Sequence, residues 1–193
     1  MLAPDSDTVL IRNASAVVLG FCFFERGEAG VSLLLSNIAV TSRSIDVAIQ
    51  LRKGASHVSH TLSYTRNSSF DASPIDLILR YDRQRRRTSS SSRYYWSLPG
   101  TRLSTTARTI TSWLTACLST LRISLRPKVL CSSHSLCMGA ASECAAINVP
   151  LYCIRIWDDW EANSSNFETN YLDARVLPTE DSRFFFGHLL QIS

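Results

Sequence analysis

The chain has 193 residues, 45% of them hydrophobic and 19% charged, a globular composition long enough to bury one core and at odds with disorder. Its net charge is only +4, but of the 20 basic residues just Lys53 and Lys128 are lysine. Arginine predominates where planar, bidentate contact with phosphate or carboxylate matters, so the composition raises a polyanionic partner without deciding it.

The opening MLAPDSDTVL lacks the basic start and apolar run of a secretory signal, and no stretch approaches the roughly 18 apolar residues of a membrane helix. Six cysteines without a CxxC pair read as reduced, mostly buried thiols of an intracellular protein. The Asn-x-Ser triplets at Asn13, Asn67 and Asn163 would then carry no glycan.

In chain order, Val9, Leu10, Ala14, Val17, Val18 and Phe21 recur at helical spacing over residues 5–25, so a helix is expected to stop near Gly27 or Gly30. A short apolar run at 31–35 and strictly alternating segments at 44–51 and 57–64, the latter two around the turn RKGAS, predict a small three-stranded antiparallel sheet. Ser73-Pro74 opens a helix through Ile75, Leu77, Ile78 and Tyr81. It is expected to dissolve into RYDRQRRRTSSSSR, a mobile basic loop over residues 80–93 within a basic, serine-rich stretch reaching about residue 103. Helices follow over 104–121, from Ser132 or Ser133 through Ala146, and over 150–157, with shorter ones at 163–172 and 182–190. There is no internal repeat. The class is α+β, mostly α, in one domain spanning 1–193.

Taken alone, the polar candidates are modest. His134 and Cys137 share one face of a helix start, a spacing that suits a metal pair or an activated thiol, yet no further ligands converge on them. Read alone, a buried cysteine beside a first-turn histidine is the better account of them. Arg80, Arg83, Arg85, Arg86, Arg87 and Arg93 could hold a phosphate backbone, act as a nuclear-import signal, or simply be solvated. Trp157 and Trp160 in IWDDW and Tyr171 in NYLD name no function on their own.

In order, however, FCFFERGEAGVSLLLSNIAV, a hairpin with Lys53 in its turn, SSHSLCMGAAS, IRIWDDW and NYLD followed by RFFFGHL resemble the catalytic domain of a tyrosine recombinase. The likeness is strongest to forms carried by eukaryotic mobile elements of the DIRS-like and crypton-like kinds. It runs from about residue 8 to 190, and its most specific part is His-Ser-Leu-x-x-Gly-Ala-Ala with a tyrosine thirty to forty residues on.

The resemblance implies a helical domain with a small sheet and double-stranded DNA as partner, engaged as a dimer or tetramer. The chemistry implied needs neither metal nor cofactor: a tyrosine hydroxyl attacks a phosphodiester, leaving a 3′-phosphotyrosyl link and a free 5′-hydroxyl. Arg26 falls at the first transition-state arginine, Lys53 at the general acid, His134 and Trp160 at the remaining pocket positions, and Tyr171 at the nucleophile. The second arginine is missing, for Cys137 stands in its place. A thiol offers one weak donor and no positive charge, so impaired catalysis is expected. The resemblance also implies nuclear location in a eukaryote and cytoplasmic location otherwise, and the expectation is of a catalytic domain without an N-terminal core-binding domain. A non-catalytic DNA-binding remnant or domesticated interaction module is the alternative.

Overall fold

The computed structural model describes residues 6–23, 27–41, 44–50, 59–65, 74–88, 92–98, 103, 106–122, 131–132, 134–157, 167 and 172. Helix α1 (Ser6–Cys22) is the axis of this part of the molecule. Helices α3 (Pro74–Thr88), α4 (Ala107–Thr120) and α5 (His134–Ala146) all pack on it. A short α2 (Gly27–Val31) lies against α4, and α6 (Leu151–Trp157) packs on α5.

Being surrounded changes which face of α1 is deepest. The six apolar positions expected to form its core face are all only half-buried, whereas Ile11, Ser15, Ala16, Leu19 and Cys22 are buried. Neighbours on several sides shift the covered face away from the one that apolar spacing alone marks out. Arg12 is buried too, its guanidinium 4.5 Å above the Trp113 ring of α4. Its Nε and Nη2 donate to Asn13 Oδ1 at 3.0 and 2.8 Å, so the first glycosylation-type asparagine is an internal acceptor.

The alternating segments form an antiparallel hairpin, β2 (Ser44–Gln50) with β3 (Ser59–Thr65), in the register Ile45↔Tyr64 and Val47↔Leu62. Ile45 and Val47 are buried, as the period of two requires. The strand expected at 31–35 is absent. Val31 closes α2, Leu34 makes one isolated bridge to Tyr94, and Leu35–Asn37 is a 3₁₀ turn. What runs along the other edge of β2 is the three-residue β1 (Ile38–Val40), paired Ile38↔Val47 and Val40↔Ile45. The apolar run at 31–35 reads as a strand because burial on several sides and a buried strand share the same pattern.

A second correction concerns the basic segment. α3 does not dissolve at Arg80 but continues to Thr88. Asp82, buried, pairs with Arg85 at 3.6 Å and with Arg86, one turn on. Tyr81 donates to the Tyr95 carbonyl at 2.8 Å, and its ring meets those of Tyr95 and Trp96 at centroid distances of 5.4 and 5.2 Å. The indole of Trp96 donates to the Gly30 carbonyl at 2.8 Å, tying this cluster to α2. Four arginines in five residues therefore ride on a helix held by aromatic packing.

α5 ends in a local stop. Asn148 takes the left-handed backbone at φ 65°, its N–H bonds the Ala145 carbonyl, and Val149 N–H bonds that of Cys144. Pro150 then starts α6, accepting from Cys153 N–H at 2.9 Å. The hairpin turn at 52–56, most of the helix expected at 163–172 and all of that at 182–190 lie outside the described residues.

Candidate functional site

Two of the candidate site residues, His134 and Cys137, belong to the described first turn of α5. His134 is its first residue and is exposed. Ser135 folds back, its hydroxyl accepting from Ser132 N–H at 3.0 Å and its own N–H bonding the Ser132 carbonyl at 3.0 Å. That exchange satisfies amide groups that a helix start would otherwise leave open.

Cys137 faces the other way. Its side chain is fully buried, with 0% exposure, and its thiol donates to the His134 main-chain carbonyl at 3.3 Å. The geometry suits a packed cysteine, with the thiol satisfied by backbone within its own helix. Among the described residues no group of three His, Cys, Asp or Glu is placed to hold a metal ion.

At this turn each helix sets a glycine against a large apolar side chain of the other. A Cβ on Gly20 of α1 would lie 3.2 Å from Leu136 Cδ1, and one on Gly139 of α5 would lie 3.2 Å from Phe21 Cε2. Glycine at both positions lets the last turn of α1 and the first turns of α5 approach closely. Thus the last turn of α1 lies against the first turns of α5, although more than 110 residues separate them in the sequence. Arg26, Lys53, Trp160 and Tyr171 lie outside the described residues.

Other reactive groups are withdrawn by burial. Burial pushes the Cys22 thiol up to about 12, and the Cys144 thiol is raised for the same reason, with Cys22 and Glu143 adding to it. The phenols of Tyr81 and Tyr95 are likewise held well above their ordinary range by burial. All four are protonated at neutral pH and none is a ready nucleophile.

The six candidate DNA-binding arginines fall into distinct environments. Arg80, Arg83 and Arg87 are exposed on α3. Arg86 is also exposed but engaged by Asp82, whose hydrogen bond raises its already high pKa. Arg85 is largely covered, its side chain 15% exposed and its guanidinium 5.2 Å from the Tyr95 ring centroid. Arg93 stacks on Tyr94 at 5.1 Å and donates to its hydroxyl at 3.2 Å.

Sequence reasoning missed Tyr95, Trp96 and Leu98, all at most 1% exposed. The aromatic run YYW was a usable signal, but the arginine- and serine-rich stretch before it suggested a solvated connector throughout.

No family model matches the chain, and no curated protein does. Two solved structures share its architecture. One is the XerH site-specific recombinase bound to palindromic difH substrate in a post-cleavage complex, with a TM-score of 0.61 and 12% identity over 96% of this chain and 45% of the other. The second is XerH bound to difH substrate in a pre-cleavage complex, with a TM-score of 0.60 and 12% identity over 98% of this chain and 48% of the other. The fold is tyrosine-recombinase-like. This chain spans just under half the length of those proteins. Within that fold, the expected mostly helical architecture and the central hairpin are both present.

Proposed function

We propose that this chain is a DNA strand-transfer domain of the tyrosine-recombinase kind, weakened by cysteine at the position of the second catalytic arginine. The observation that carries the reading is the recombinase-like fold covering 96% of the chain, with exposed His134 opening α5 where the sequence likeness puts the family's histidine. In the reaction, the Tyr171 hydroxyl attacks the phosphorus of one phosphodiester as its proton is lost. The P–O bond to the 5′-oxygen breaks, Lys53 supplies the proton to that oxygen, and a 3′-phosphotyrosyl link remains. Attack by a 5′-hydroxyl on that link reverses the step, so the bond energy is conserved without an energy cofactor or metal.

Arg26 and His134 would steady the extra negative charge at phosphorus, with Trp160 closing the pocket. Cys137 adds no cation, and its buried thiol is already directed at a backbone carbonyl. A mobile-element origin, nuclear residence in a eukaryote, and assembly as a dimer or tetramer on duplex DNA go with this reading. The test is covalent trapping on nicked duplexes taken from the sequence flanking the gene. Cys137→Arg should form a tyrosyl adduct faster than the unaltered chain by on the order of 10²–10³. Tyr171→Phe should form none. An adduct that persists in Tyr171→Phe, or none from Cys137→Arg on a duplex the protein binds, overturns the proposal.

A second reading, a DNA-binding remnant without catalysis, is favoured by the same buried, uncharged Cys137. It predicts that binding persists in both variants while no adduct forms in either.

A further inference from the structure

We propose that Arg80, Arg83 and Arg87 form a sequence-independent contact for the phosphate backbone of duplex DNA, on a surface separate from the first turn of α5. The inference rests on the DNA-acting reading above and adds a second place of contact to it.

The three side chains stand at i, i+3 and i+7 of α3, within about 60° of its circumference. All three are exposed, and among the described residues none has an ion-pair partner. The helix's acids do little to neutralise them. Asp82 is buried on another face and committed to Arg85 and Arg86. Asp76, one turn before Arg80, is the one acid of α3 on the same side, and it offsets part of the Arg80 charge.

The row is about 10 Å long, about three rises of 3.4 Å along a duplex axis, so laid along it the row covers about four successive phosphates of one strand. It is also held in place. The opposite side of the same turns carries Ile78, Tyr81 and Asp82, all buried, so the arginines are presented by a packed helix and lose little backbone freedom on binding. The exposed residues of α3 from Arg80 to Thr88 include no apolar side chain. A protein partner would ordinarily need an aromatic or aliphatic anchor there, whereas a phosphate backbone needs none.

The separation from α5 follows from how the helices lie on α1. Ser15 donates to the Leu77 carbonyl at 3.1 Å, and the Arg12 guanidinium lies close enough to Tyr81 for its positive charge to bear on that phenol. As numbers rise along α3 they therefore fall along α1, and Arg83 and Arg87 lie towards the N-terminal end of α1. α5 sits at the opposite end, on Gly20 and Phe21. Eight helical residues, about 12 Å, divide Arg12 from Gly20, so one pocket cannot hold both groups.

The test is binding of the full chain to a fluorescent duplex of arbitrary sequence, titrated from 50 to 200 mM salt. Arg80→Gln/Arg83→Gln/Arg87→Gln, shown by circular dichroism to keep its helix, should bind on the order of tenfold or more weakly at the high end. Its slope of log affinity against log salt should fall by about 2 to 3. Arg108→Gln, exposed on α4, should lower the slope by at most about 1. An unchanged slope in the triple variant overturns the proposal, as does failure of the unaltered chain to bind any duplex. Equal displacement by a poly-glutamate peptide would make the partner an acidic protein and overturn it as well. The two readings separate cleanly. A tyrosyl adduct from Cys137→Arg with an unaltered triple-variant slope defeats only this inference, and a lowered slope with no adduct defeats only strand transfer.

Discussion

The two sides of α1 are built by opposite means. Towards its N-terminal half, α3 and the 94–98 segment pack through Tyr81, Tyr95 and Trp96, with the Trp96 indole bonded to the Gly30 carbonyl and the Tyr81 hydroxyl to the Tyr95 carbonyl. Towards its C-terminal end, α5 packs through Gly20, Gly139, Ala140 and Ala141. The first side gets its area from a few large rings, the second from backbone proximity. A Cβ at either glycine would stand 3.2 Å from its neighbour, so the side that carries His134 and Cys137 leaves little room for a larger residue there.

That contrast can be broken from the aromatic side first. Trp96→Ala removes a fully buried indole and leaves the Gly30 carbonyl without its donor, and should cost about 3–5 kcal/mol in urea unfolding. Gly139→Val tests the other side. With Phe21 only 3.2 Å from the new Cβ, it should cost about 1–3 kcal/mol, more than Gly20→Ala, whose neighbour is the movable end of Leu136. If Gly20→Ala proves the costlier, the glycine contact at Phe21 is not what sets the α1–α5 approach.

Asp82→Asn sharpens the reading of α3. It leaves the covered Arg85 without its carboxylate, and should cost about 1–3 kcal/mol, with the loss of helix signal concentrated at the Arg-rich end. Amide exchange across 83–88 would locate it.

The smallest effect is alkaline. Cys22 has its pKa raised from 9.0 to about 12 by burial, so the folded state holds a proton that the unfolded state releases. That stability is fully present below pH 9 and is lost as pH rises from 9 towards 12. Between pH 9 and 10 the unfolding free energy should fall by up to about 1.4 kcal/mol per pH unit for this thiol. Cys22→Ala should flatten the slope, although it lowers stability at neutral pH.

Much of the fold was legible because it depended on period. The hairpin followed from strict alternation at 44–51 and 57–64, and the starts of α3 and α6 from Pro74 and Pro150. Composition misled where tertiary contact overrode it. Arg83 to Arg87 suggested a solvated loop, yet Asp82 and the Tyr81–Tyr95–Trp96 cluster keep that stretch helical. The six apolar positions of α1 suggested one core face, yet a helix packed on several sides buries a different set, Ile11, Ser15, Ala16, Leu19 and Cys22.

The candidate site divides in the same way. Residue types and their order were enough to single out His134 and Cys137 and to bring a recombinase to mind, because that chemistry demands cations and a nucleophile in a set sequence. The opposite fates of those two side chains, one exposed and the other at 0% exposure, were invisible in the spacing. Three residues apart in a helix turn puts them near one another but does not say which neighbour covers which. Likewise the six arginines were countable from the sequence, while their division into an exposed stripe, an ion-paired group and rings' partners was decided by the core beneath α3. Local pattern determines what each residue is able to do; burial, a property of the whole packed chain, selects which of them are left facing solvent to do it.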